Sequence, residues 1–172
     1  MDSQHKIKSN FERVANSLTL NPEKGSSTLV STTRITNALA CQTVEGEWKI
    51  NCDLPETAGG ANTGPTPGVL GRAALGSCLA IGYMLWASRL DVPIDSIEVE
   101  VQTDSDDGVL FGTSDAHAGY SEVRYCVRVC SNATEEELIK VFDEGDRHSP
   151  YLDTFSRGIR CVRQVEIKQN QK

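Results

Sequence analysis

Apolar residues first recur at helical spacing. Ile7, Phe11, Val14, Ala15 and Leu18 fall on one face, which predicts an amphipathic helix over residues 5–18. Asn21-Pro22 stops it, because the residue before a proline avoids the helical region. The pattern then turns β-like. Residues 28–35 are rich in β-branched side chains, 38–44 follow, and a turn at Glu45-Gly46-Glu47 leads into a strand over residues 48–52. A β-meander is the simplest arrangement. After a loop over residues 54–67, Thr66 offers an N-cap and Pro67 the first helical position. The helix that begins there is predicted to run to about Leu90, where Asp91-Val92-Pro93 breaks it, and it carries no charge from Ala73 to Ser88. Gly76 and Gly82 inside it predict that another backbone packs close by.

The remainder alternates again. Ile97, Val99 and Val101 point one way from a strand over residues 96–103, and Val123, Tyr125, Val127 and Val129 do so over residues 120–129, with a turn at 104–108 between them. Thr134 with Glu137 three positions later forms a capping box for a helix whose apolar face is Leu138, Ile139, Val141 and Phe142. Ser149-Pro150 opens a short helix through about Ser156, and residues 160–167 read as a final strand. The order predicts an α+β fold, with mostly antiparallel sheets around a central buried helix. One domain spans 1–172, comprising a helical extension over 1–22 and a core over 28–167.

Bulk properties narrow the class. With 172 residues, 38% hydrophobic and 24% charged, the chain fits a soluble globular domain. A net charge of −7 without long basic runs argues against a nucleic-acid partner. The polar N-terminus lacks the apolar segment of a signal peptide, and the uncharged stretch from Ala73 falls short of the roughly 18 residues of a membrane span. A cytoplasmic protein with no membrane partner is expected. The six cysteines, Cys41, Cys52, Cys78, Cys126, Cys130 and Cys161, form no tight disulfide framework and read mostly as reduced, small apolar fillers. No His or Cys partners stand at zinc spacing, and the glycine-rich loop lacks the lysine of a phosphate-binding loop, so neither metal nor other cofactor is expected.

The candidate chemistry lies at Cys78, in Leu75-Gly76-Ser77-Cys78-Leu79-Ala80, and at His148-Ser149-Pro150. Taken alone, Cys78 is a small core residue and Ser149 an N-cap. A His148–Ser149 nucleophile pair is disfavoured, because neighbours in sequence rarely point at each other. Together with Gly59-Gly60-Ala61-Asn62-Thr63-Gly64-Pro65-Thr66-Pro67 and Val92-Pro93-Ile94-Asp95-Ser96-Ile97, these segments resemble the OsmC/Ohr family of thiol-dependent peroxidases. The resemblance implies an intertwined homodimer with active sites at the subunit interface. It also implies a thiolate at Cys78 that attacks an organic hydroperoxide and becomes a sulfenic acid.

Three positions depart from the family pattern. Ser149 stands where the second redox cysteine would be, so no disulfide can form there. Gly68 takes the place of a glutamate. Counting back from Gly59-Gly60 puts the catalytic arginine near Asn37, and the nearest arginine is Arg34. Arg72, six residues before Cys78, lies on roughly the opposite side of the helix. Two functions follow. One is reduction of small hydrophobic hydroperoxides through Cys78 with an external thiol as reductant. The other is a non-catalytic module that binds an apolar ligand at the dimer interface.

Overall fold

A computed structural model describes residues 3–169. Helix α1 (Ser3–Leu20) ends at Asn21-Pro22. Strands β1 (Thr32–Asn37), β2 (Ala40–Glu45) and β3 (Trp48–Cys52) form an antiparallel meander. Helix α2 (Pro67–Arg89) follows; the Val69 N–H donates to its N-cap, Thr66 Oγ1. Strands β4 (Ser96–Asp104) and β5 (Glu122–Cys130) pair antiparallel, joined through the single-turn helix α3 (Asp107–Leu110). Helices α4 (Glu135–Arg147) and α5 (Pro150–Ser156) complete the order, with both halves of the Thr134–Glu137 capping box formed. The α+β class and the antiparallel sheets are as the sequence predicts.

The core sits between α2, α4 and the β4–β5 hairpin. Leu75, Leu79, Tyr83 and Ala87 form an i, i+4 stripe on α2, joined by Val92, Ile94 and Val141. The inward residues of β4 and β5 pack against it, while Arg124 and Arg128 pair outside with Asp104, Glu98 and Glu100. Helices α2 and α4 approach so closely at Gly145 that a Cβ there would lie 2.4 Å from Tyr83 Cδ1. A Cβ on Gly76 would meet Val101 Cγ2 at 3.4 Å and one on Gly82 the Gly145 carbonyl oxygen at 3.9 Å, ordinary contact distances, so the close approach falls at Gly145 of α4 rather than at the two glycines of α2.

Several expectations change. Helix α2 is not buried all round: Ile81 on its far side is 61% exposed, and Val69, Ala73 and Ser77 are exposed as well. The helix is long and apolar enough to cross a membrane by length and composition, yet its buried stripe packs on β4, α4 and α5. Residues 160–167 form no strand. A strand needs a neighbour for its backbone hydrogen bonds, and among the described residues this segment has none, leaving Val162, Val165 and Ile167 exposed. The turn at 104–108 becomes in part α3, capped by Asp106. The cysteines are not mainly core fillers: Cys52 is buried, Cys41 and Cys78 are half-buried, and Cys126, Cys130 and Cys161 are exposed. All six are free thiols.

Candidate functional site

Cys78 lies in the middle of α2, one turn from the buried Leu75 and beside Leu79. Its Sγ is 3.4 Å from Ser149 Oγ. Ser149 is 4% exposed and caps α5: its Oγ accepts from the Leu152 N–H at 3.2 Å, as its residue type before a proline demands. With one lone pair so engaged, the hydroxyl retains a proton to donate to sulfur and a lone pair to accept from a thiol. The two segments singled out in the sequence, 71 residues apart, therefore meet at one point.

What holds Ser149 there was not foreseen. Asp146, in the last turn of α4, accepts from Tyr83 Oη at 2.5 Å and from Tyr125 Oη at 2.7 Å, and its backbone carbonyl accepts from the Ser149 N–H at 3.2 Å. Burial and the Asp146 carboxylate push the Tyr125 hydroxyl up to about 12 and that of Tyr83 higher still, so both remain donors at any ordinary pH. Helix α2, strand β5 and helix α4 are thus tied together immediately before the His148-Ser149 turn. One signal for it was legible: an acid four residues after Phe142, on the apolar face of an amphipathic helix.

His148 faces away from Ser149. Its Nδ1 is 2.8 Å from the Glu144 carbonyl, and its ring lies 4.6 Å from that of Trp86. Phe11 of α1 packs edge-on against the same Trp86 at 5.5 Å, and Arg89 lies over both rings. A His–Ser nucleophile pair is therefore ruled out by geometry, while α1 is braced against the turn that carries Ser149.

Of the other candidates, Arg34 lies on exposed β1, in register with Gln42. Among the described residues no hydrogen bond or ion pair joins it to Cys78. Arg72 turns to β4, donating to Thr103 Oγ1 at 3.2 Å. A Cβ on Gly68 would lie 3.5 Å from Arg72 Nη1, so the position where the family pattern has a glutamate faces that guanidinium.

The glycine-rich loop is organised around an anion of its own. Asp53, 2% exposed, accepts from the backbone N–H groups of Leu54, Ala61 and Thr63 and from Thr63 Oγ1. Thr63, through both its amide and its hydroxyl, holds the Asp53 carboxyl below the usual aspartate range. Gly60 is required here, since a Cβ would lie 1.9 Å from the Leu54 carbonyl oxygen. These amides already have a carboxylate and form no cradle for phosphate. Among the described residues no group of three or more His, Cys, Asp or Glu is placed to hold a metal ion.

A cysteine on the central helix, facing the cap of a short following helix across an α+β core, defines a small thiol protein of the kind the sequence resembles. The family model for OsmC-like proteins matches residues 59–162, more than half of the chain, and the chain belongs to that family. Its fold is similar to the OsmC-like protein of Mycoplasma pneumoniae, with a TM-score of 0.66 at 16% identity over 76% of this chain and 89% of that one. It is also similar to an organic hydroperoxide resistance protein, OsmC, of Legionella pneumophila, with a TM-score of 0.55 at 12% identity over 75% and 89% of the two chains. A third similar structure is an organic hydroperoxide resistance protein of Elizabethkingia anophelis, with a TM-score of 0.54 at 16% identity over 75% and 88%. No curated protein matches the chain.

Proposed function

We propose that the protein reduces organic hydroperoxides through Cys78, with an external thiol as reductant, and works as a homodimer. The observation that carries this reading is the 3.4 Å contact between Cys78 Sγ and Ser149 Oγ. It sets the reactive sulfur against a hydroxyl where the family pattern has a second thiol. In the reaction, the Cys78 thiolate attacks the peroxide O–O bond. A sulfenic acid forms on Cys78 and the alkoxide leaves, taking a proton to become the alcohol. Ser149 can donate to the reacting atoms but cannot form a disulfide. A first external thiol therefore condenses with the sulfenic acid, releasing water and leaving a mixed disulfide. A second thiol displaces the first and restores Cys78.

The dimer reading is supported by surfaces that one protomer leaves open. Ile35, Trp48 and Ile50 on the N-terminal sheet, Ile81 on α2, and Val162, Val165 and Ile167 in the C-terminal segment are all exposed. Exposed large apolar side chains in this number support an interface with a second copy. Arg34, on the exposed sheet, is the residue we expect to approach the thiol of the second protomer.

Purified protein should consume cumene hydroperoxide in the presence of dithiothreitol, and Cys78→Ser should lose most of that rate. Ser149→Cys should form a disulfide with Cys78 on oxidation and keep turnover. Full consumption by Cys78→Ser would overturn the reading, and no consumption by the unmutated protein would favour a binding role for the same cleft.

A further inference from the structure

A second pair of thiols lies outside the family-matched segment. The β2–β3 register places Cys41 directly opposite Cys52. Glu45 and Trp48 close a two-residue turn over Gly46-Glu47, with Gly46 at φ +56°, the left-handed position that a type II′ hairpin turn requires. Counting from that turn, the pairs alternate. Thr43–Ile50 and Cys41–Cys52 take hydrogen-bonded positions, where Cα atoms stand about 5.5 Å apart and both side chains leave the same face. A disulfide spans Cα atoms about 4.4–6.8 Å apart, a range that includes the usual spacing of such a pair. Both thiols are free.

We propose that Cys41 and Cys52 form a second redox site, a cross-strand dithiol that a hydroperoxide converts to a disulfide within one chain. The two sulfurs are unequal. Cys41 is half-buried and the more open of the two, while Cys52 is 5% exposed. Burial and the neighbouring Cys41 push the Cys52 thiol up, so the inner sulfur keeps its proton. Cys41 attacks the O–O bond, giving a sulfenic acid and an alcohol. Cys52 then displaces the hydroxyl, its proton leaving with it as water. Two S–H bonds and one O–O bond are consumed, and one S–S bond, one alcohol and one water are formed. Because Asp53 follows Cys52 directly, the bridge staples β2 and β3 at the root of the loop that leads into α2.

This site does not depend on Cys78, and the test separates the two. Full-length Cys78→Ser protein is treated with a slight excess of cumene hydroperoxide, denatured, alkylated and digested with trypsin. Cleavage after Lys49 puts Cys41 and Cys52 on different peptides. The expected result is a linked peptide pair with the mass of two hydrogens lost and two alkylation sites missing. Dithiothreitol should restore both, and the pair should be absent from Cys41→Ser, a half-buried position where the fold is checked by circular dichroism. Alkylation of both cysteines after oxidation would overturn the proposal. So would a bridge from either one to another cysteine, or arrest at an oxygenated Cys41.

Discussion

The two ends of the sequence fold by different rules. In the α2–α4–hairpin region, Leu75, Leu79, Tyr83 and Val141 are all at or below 1% exposure, and the one acid on the apolar face of α4 has two tyrosine partners. In the β1–β3 sheet every residue of β1 is exposed, and in β3 only Cys52 is buried. Yet the sheet is regularly paired, with cross-strand contacts such as Thr33–Thr43 and Gln42–Asn51. The first region is complete within one chain; the second has its hydrogen bonds but not its apolar burial. A small three-stranded sheet draws most of its stability from a covered apolar face, so the comparison teaches that regular pairing and apolar burial are separable: within this chain the sheet has the first without the second.

The contrast can be broken most directly by truncating one side chain in each region. Leu79→Ala removes a fully buried side chain and should cost about 3 kcal/mol in urea unfolding. Ile50→Ala, on the open sheet, should cost less than about 0.5 kcal/mol when the protein is dilute enough to be monomeric. Its cost should then rise with protein concentration if a second copy covers that face. Equal costs at both positions under dilute conditions would erase the distinction.

Tyr83→Phe comes next. It removes one of two hydrogen bonds to the Asp146 carboxylate and should destabilise by about 2 kcal/mol. Because Asp146 also anchors Ser149, the variant should slow Cys78 turnover more than a surface substitution such as Lys140→Ala. A stability loss with turnover unchanged would show that the clamp serves packing alone.

The smallest effect is read from pH. The folded-state pKa of Asp53 lies below the ordinary aspartate value near 3.8, so its contribution is fully present above that value. It is lost as pH falls through the lower, folded-state pKa. Asp53→Asn should be the less stable protein at neutral pH, and the gap should close below about pH 3.8. A gap that persists unchanged in acid would mean that the loop does not use the charge.

Much of the architecture was legible because it is local. The Thr134–Glu137 box, the Ser149 cap, the Glu45–Trp48 turn and the alternation of β4 and β5 each follow from a few adjacent residues. The meeting of Cys78 with Ser149 came from a family resemblance, since no periodicity joins residues 71 positions apart. Two features escaped. Asp53 reads as an ordinary loop acid until the chain folds back upon it, and Cys41 and Cys52 read as scattered fillers until the register pairs them. The failure at residues 160–167 has a different origin: the alternation of a strand is written in the sequence, but no neighbouring strand pairs with it among the described residues.

The stack of Phe11 on Trp86, and of Trp86 on His148, has a consequence for any kinetic comparison across the family. The segment that defines membership begins at residue 59, yet the neighbour of Ser149 leans on a helix that ends at Leu20. Rates measured on a trimmed version lacking that helix would belong to a molecule whose Ser149 turn has lost its brace, and so would not describe the native chain.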